Sequence, residues 1–86
     1  MLYHTVMSWV VYILKCADDS LYTGISNDVK ARIAAHEAGN GAKYTKGRGP
    51  FTMLYCEECE DRSHASKREW AIKKLNREEK LELCRD

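Results

Sequence analysis

The sequence predicts a small α/β (α+β) domain. Three observations carry this: two strand-like runs joined by a tight turn, a third short apolar run, and two amphipathic stretches of helical spacing. Trp9 to Cys16 is rich in Val, Tyr and Ile, side chains that fit a pleated, half-buried surface. Ala17-Asp18-Asp19-Ser20 is a turn cluster, and Leu21 to Ser26 resumes strand character, so the two runs are expected to pair as an antiparallel hairpin. Alternation puts Val10, Tyr12, Leu14 and Cys16 on one face of the first strand, and Tyr22 with Gly24 on one face of the second. A register with Tyr12 beside Tyr22 brings two hydroxyls to one spot. Gly24 then keeps the backbone clear for something to approach closely.

Asn27 or Asp28 can cap the next helix, which is expected to run to about Ala38 and end at Gly39. At about 100° per residue, Arg32 and His36 share a face and border the apolar stripe of Val29 and Ile33. Gly39 to Pro50 is rich in glycine and lysine and reads as a surface loop that orders on binding. Phe51 to Cys56 is apolar enough for a third strand. Asp61 or Ser63 can open a second helix through Ala65, Ala71, Ile72 and Leu75, with Glu69 about 40° from the Ala65 direction. Glu78 to Leu83 makes a short last helix, with Arg77 as a joint.

Eighty-six residues make one domain, assigned here to 9–86 after a lead-in at 1–8. A core this small cannot enclose a large cofactor, so any active site is expected to be a shallow face presented to a big substrate. The net charge of +1 argues against a histone-like coating protein. Basic residues nevertheless cluster locally, which suffices for contact with a phosphate backbone. No run approaches the length of a membrane span, and no basic, apolar, small-residue leader is seen at the N-terminus. The expectation is a cytoplasmic protein with free thiols at Cys16, Cys56, Cys59 and Cys84. Cys56 and Cys59 have the spacing of half a zinc site or a redox pair, but no partner pair accompanies them.

Tyr12, Tyr22, Arg32, His36 and Glu69 together make a toolkit for phosphodiester cleavage. That reaction needs a deprotonated nucleophile, positive charge on the phosphate and help for the leaving oxygen. One carboxylate, Glu69, can hold a single hydrated Mg²⁺ (or Mn²⁺), because Mg²⁺ keeps several waters. The planar fork of Arg32 matches two phosphate oxygens. Tyr22 or Tyr12 can orient or deprotonate water, given positive charge nearby to favour a phenolate. His36 can take the proton or steady a phenol. Each residue also has a plainer role. The tyrosines can be strand residues, Arg32 and His36 solvated helix residues, and Glu69 a partner for Lys73 four residues on.

The order of these residues resembles the GIY-YIG nuclease superfamily, above all its small stand-alone bacterial branch. Val11-Tyr12-Ile13 and Tyr22-Thr23-Gly24 stand for the two signatures. Arg32 follows Tyr22 at the family's interval, His36 at the histidine-or-tyrosine position, and Glu69 lies in Lys67-Arg68-Glu69-Trp70. Gly41-Ala42-Lys43-Tyr44-Thr45-Lys46 and Ile72-Lys73-Lys74-Leu75-Asn76-Arg77 are similar too. The resemblance implies a three-stranded antiparallel sheet flanked by helices, with the site on one sheet face. It also implies metal-assisted hydrolysis of DNA, a tyrosine or histidine activating water while arginine steadies the phosphate. Ile25 replaces the lysine of the nucleotide-excision-repair members, and Thr23 and the missing first glycine are milder departures. No helix-hairpin-helix or zinc finger is attached, so substrate choice is expected from loop 39–50 or a partner protein.

Two further readings compete with a DNA endonuclease. One is a nucleic-acid-binding module with little activity, using Lys43, Lys46, Arg48, Lys73, Lys74 and Arg77 on phosphates and Tyr44 on an unpaired base. The other is an adaptor presenting the acidic run 57–61. A monomer or weak dimer with no membrane association is expected in each case.

Overall fold

The computed structural model describes residues 9–85; the lead-in at 1–8 lies outside them. Strands β1 (Trp9–Lys15) and β2 (Leu21–Ser26) precede helix α1 (Val29–Glu37), and strand β3 (Thr52–Cys59) precedes α2 (Arg62–Lys73) and α3 (Arg77–Leu83). The sheet is antiparallel in the order β2-β1-β3, with β1 at its centre. That position explains the nearly unbroken apolar run of β1: Val11, Tyr12, Ile13 and Leu14 are all fully buried, on alternating faces.

One face carries the main core. Val11 and Ile13 pack with Cys59 and with Ala65 and Ile72 of α2, while Leu83 and Cys84 close in from the C-terminal end. Burying an Ile or Val side chain contributes about 1.5–3 kcal/mol, so these few residues supply much of what so short a chain can muster. Arg68 secures α2 to β3 with a bidentate ion pair, Nε and Nη2 each donating to the Glu57 carboxylate at 2.9 Å.

The other face holds Tyr12, Leu14 and Cys16, covered by α1 and the segment after it. Asp28 caps α1 by accepting from the Ala31 amide. The helix ends where Gly39 donates to the His36 carbonyl and Asn40 to that of Ala35, a left-handed stop that Gly39, at φ +85°, adopts without strain. Asp61 caps α2, and Asn76 caps α3 in a reciprocal pairing with Glu79.

Two expectations need adjustment, the end of β3 and the looseness of segment 39–50, while the Cys56 and Cys59 geometry agrees with the plain reading. β3 runs on through Glu57 and Glu58 to Cys59, because Glu57 is neutralised by Arg68 and Glu58 faces outward. The acidic run is therefore partly built into the sheet and is no single presented patch. Cys56 and Cys59, three apart on a strand, point to opposite faces, one exposed and one in the core, so they make neither a redox pair nor half a metal site. Segment 39–50 is docked rather than loose. Successive turns run from Ala42 to Arg48, and the Arg48 carbonyl accepts from Ala17 of the β1–β2 turn at 2.7 Å.

Candidate active site

Tyr12 stands at the centre of the second face. Its register partner is Gly24, and Tyr22 pairs with Leu14, so the two phenols are diagonal rather than direct neighbours. Their rings lie 6.5 Å apart, tilted by 47°. A Cβ on Gly24 would come within 2.6 Å of the Tyr12 hydroxyl oxygen and 3.0 Å of the Tyr22 ring. The close approach that Gly24 allows is thus that of Tyr12's own phenol. Tyr12 is fully buried, whereas Tyr22 is half-buried.

His36 comes from the last turn of α1 and is that helix's buried side chain, while Val29 and Ile33 stay half-buried. Helical spacing alone put it at the border of the apolar stripe. It is buried because both ring nitrogens have partners: Nε2 shares a 2.9 Å hydrogen bond with the Tyr12 hydroxyl, and Nδ1 a 2.8 Å bond with Thr45 Oγ1. Tyr22 meets the imidazole edge-on at 5.2 Å between centroids, and Phe51 lies 5.9 Å away. Burial first, and the charge of Arg32 second, push the His36 pKa below its ordinary value, so the ring is neutral at pH 7.

Arg32 lies one turn before His36 and is half-buried, and among the described residues no carboxylate comes within ion-pair distance of it. Several influences meet at the Tyr12 hydroxyl. Burial raises its pKa most, the adjacent Arg32 guanidinium pulls it down, and negative charge at Tyr22 or Glu69 pushes it up. Arg32, Tyr22 and Glu69 therefore all lie within electrostatic reach of one oxygen.

Glu69 arrives differently from the other four. Those four lie over one sheet face, whereas Glu69 belongs to α2, whose Ala65 and Ile72 pack on the opposite face. It sits on the shoulder of that helix, partly buried, and pairs with Lys73 at 3.1 Å. A pair this exposed is worth only tenths of a kcal/mol, about 0.2–1 at most, and a divalent ion can displace it. Among the described residues no three His, Cys, Asp or Glu side chains gather to hold a metal. One partly solvated carboxylate suits hydrated Mg²⁺ or Mn²⁺, which needs few protein ligands, and does not suit a closed zinc site.

The basic residues expected on nucleic acid divide into two groups. Lys43 and Lys46 are exposed and unpaired among the described residues. The others have work inside the fold. Arg48 pairs with Asp18 and lies over the Tyr44 ring, 4.4 Å from its centroid. Lys73 pairs with Glu69, Lys74 sits 3.8 Å over exposed Trp70, and Arg77 donates to the Asp19 carbonyl at 2.6 Å. Tyr44 stacks on Tyr22 at 6.0 Å and remains about half exposed. Thr45, fully buried beneath it, is the site residue that sequence reasoning passed over. The only trace of it was its place inside the Gly41–Lys46 stretch.

Known proteins share this architecture. The GIY-YIG catalytic domain model matches residues 8–82. A UPF0213 protein of Clostridium perfringens is 56% identical over 73 residues, covering 85% of this chain and 78% of its own. One from Oceanobacillus iheyensis is 53% identical over 73 residues, 85% of each chain. The solution NMR structure of the UPF0213 protein from Bacillus halodurans superposes with a TM-score of 0.57 at 44% identity, covering 90% of this chain and 82% of that one. A second NMR structure, of a protein from E. faecalis, gives 0.62 at 40% identity over 88% and 81%. With the sheet order, the two tyrosine strands and these matches in agreement, the chain belongs to the GIY-YIG superfamily, in its branch of small stand-alone UPF0213 proteins.

Proposed function

We propose that the protein hydrolyses phosphodiester bonds in DNA with one divalent metal ion, Mg²⁺ or Mn²⁺. The observation that carries this reading is the gathering of Tyr12, Tyr22 and His36 on one sheet face, with Arg32 one turn before His36 and Glu69 within electrostatic reach of the Tyr12 hydroxyl. Arg32, with no carboxylate partner among the described residues, clamps two oxygens of the scissile phosphate. Tyr22, the less buried phenol, orients the attacking water and as phenolate takes its proton. The water oxygen then bonds to phosphorus while the sugar oxygen leaves. Glu69 would hold the hydrated ion, which would supply positive charge to the phosphate and the departing oxygen. Tyr12 and His36, both sealed from solvent, hold Tyr22 and Arg32 in place from below.

A second reading is favoured by the bond between Tyr12 and His36 Nε2. In it Tyr12 takes the proton of water while passing its own to His36, so no standing phenolate is needed. It requires Tyr22 or Tyr44 to move aside and open Tyr12 to water. Phenylalanine at Tyr22 and at Tyr12 separates the two.

Tyr44 stacks on Tyr22, and Lys43 and Lys46 are exposed on the same segment as Tyr44; phosphate contact with stacking on an unpaired base favours single-stranded or junction DNA. A cytoplasmic setting accords with four free thiols, and a protein partner would supply targeting. Cleavage of duplex, single-stranded, flap and junction DNA is measured with Mg²⁺ or Mn²⁺, beside Tyr22→Phe and Glu69→Ala. Metal-dependent cleavage lost in both variants, with DNA binding retained, supports hydrolysis. Binding without cleavage under either metal overturns it in favour of a binding module.

A further inference from the structure

We propose that Thr45 is a positioning residue that fixes the tautomer of His36, keeping the proton on Nδ1 and leaving Nε2 as the acceptor for the Tyr12 hydroxyl. The inference deepens the proposed site and rests on its use of Tyr12 and His36. It follows from counting donors and acceptors along a closed chain. A threonine hydroxyl has one proton to give and two lone pairs. Thr45 Oγ1 gives its proton to the Ala42 carbonyl at 3.1 Å. Its 2.8 Å bond with His36 Nδ1 must then be one in which Nδ1–H donates. With that proton on Nδ1, Nε2 of the neutral ring carries a lone pair and accepts from Tyr12 at 2.9 Å.

The reverse direction leaves a defect. Were Thr45 to donate to Nδ1, Nε2–H would donate to Tyr12. The Tyr12 proton would then need another acceptor, yet that side chain is fully buried. Only the first direction satisfies every member, as buried polar groups require. The loop also packs closely against the ring. A Cβ on Gly41 would lie 2.2 Å from Nδ1 and 2.8 Å from His36 Cα, so the loop backbone is pressed against that edge of the imidazole. Gly41, Ala42 and Thr45 form a bracket, and α1 supplies the ring it holds. Thr45 is itself fully buried in a segment rich in exposed residues.

The test is the imidazole ¹⁵N spectrum of the intact protein, recorded through long-range proton–nitrogen correlations at pH 7–8. The sequence has three histidines, and loss of one pattern in His36→Gln assigns the ring. The expected wild-type result is a protonated Nδ1 and an unprotonated Nε2. Thr45→Val, similar in shape but without the acceptor, is expected to mix the tautomers and slow any cleavage by about 10–100-fold, as loss of an orienting partner does elsewhere. Thr45→Ser is expected to restore both. A wild-type ring protonated on Nε2 overturns the proposal, as does a Thr45→Val protein that keeps the wild-type pattern. If Thr45→Val fails to fold, the wild-type and Thr45→Ser spectra decide the matter. A protein with the expected tautomer and no nuclease activity would sink the hydrolytic reading and leave this one standing. Cleavage with the opposite tautomer would do the reverse.

Discussion

Replacing Gly24 with alanine probes the point where fold and site share atoms. The new Cβ would stand 2.6 Å from the Tyr12 hydroxyl oxygen, 2.8 Å from Cζ and 3.0 Å from the Tyr22 ring. Tyr12 has nowhere to retreat: it is fully buried on the central strand and bonded to His36. Overpacking of this kind costs about 1–3 kcal/mol. Loss of the His36 bond adds about 0.5–1.5 kcal/mol. The reduced freedom of the unfolded chain returns about 0.4–1 kcal/mol. The net loss is therefore about 1–3.5 kcal/mol, a sizeable share of the roughly 5–15 kcal/mol that holds a domain together. For a domain of this size the melting temperature should fall by about 5–25 °C. Urea and thermal melts give the values, and the proton spectrum of His36 reports whether its bond to Tyr12 survives. An alanine variant within about 0.5 kcal/mol of wild type, with that bond intact, would refute the packing argument.

Three other outcomes follow from the same structure. Arg68 holds the Glu57 carboxyl below the usual carboxylate range, so the pair's stabilisation is present above the unfolded value near pH 4.3 and is lost as pH falls through the depressed folded one. Glu57→Gln should thus cost about 1 kcal/mol in urea melts at pH 7, and wild type and variant should converge in acid; a constant gap would contradict this. His36, lowered by burial and then by Arg32, should show its NMR titration midpoint below about 6.5, with stability complete above that value and falling as the ring protonates. A midpoint above 6.5 would count against its buried, neutral state. Lys43→Glu with Lys46→Glu should weaken DNA binding in fluorescence anisotropy and flatten its salt dependence by about two units of slope; an unchanged slope would place the phosphates elsewhere.

The hairpin, the third strand and the helix caps were legible in the sequence because each depends on local chemistry. Asp28, Asp61 and Gly39 sit where capping rules put them. Alternation correctly put Tyr12, Tyr22 and Gly24 on one face, but register depends on the whole hairpin. The pairing of Tyr12 with Gly24 therefore had to come from the structure. His36 was misjudged as a border residue, since helical angles count apolar surface and cannot see two long-range hydrogen bonds. Thr45 was missed for the same reason, its bond to His36 forming only when segment 39–50 folds back on α1. Arg48 and Arg77 looked like phosphate ligands by charge alone, whereas both also tie their segments to the β1–β2 turn. The lysine partner of Glu69, four residues on, was anticipated by helical spacing and is present.

Single-turnover cleavage of DNA by wild type, Arg32→Ala, Glu69→Ala and the double variant, across a Mg²⁺ titration, decides whether the two side chains act together on a scissile phosphate. Metal-dependent hydrolysis is expected in wild type, with a loss of about 10²–10³-fold in each single variant. The double variant should be scarcely slower than either, because the two side chains act on one phosphate as a unit. A wild-type protein that cleaves nothing at any metal concentration, or a Glu69→Ala protein that cleaves at the wild-type rate, would contradict that joint action.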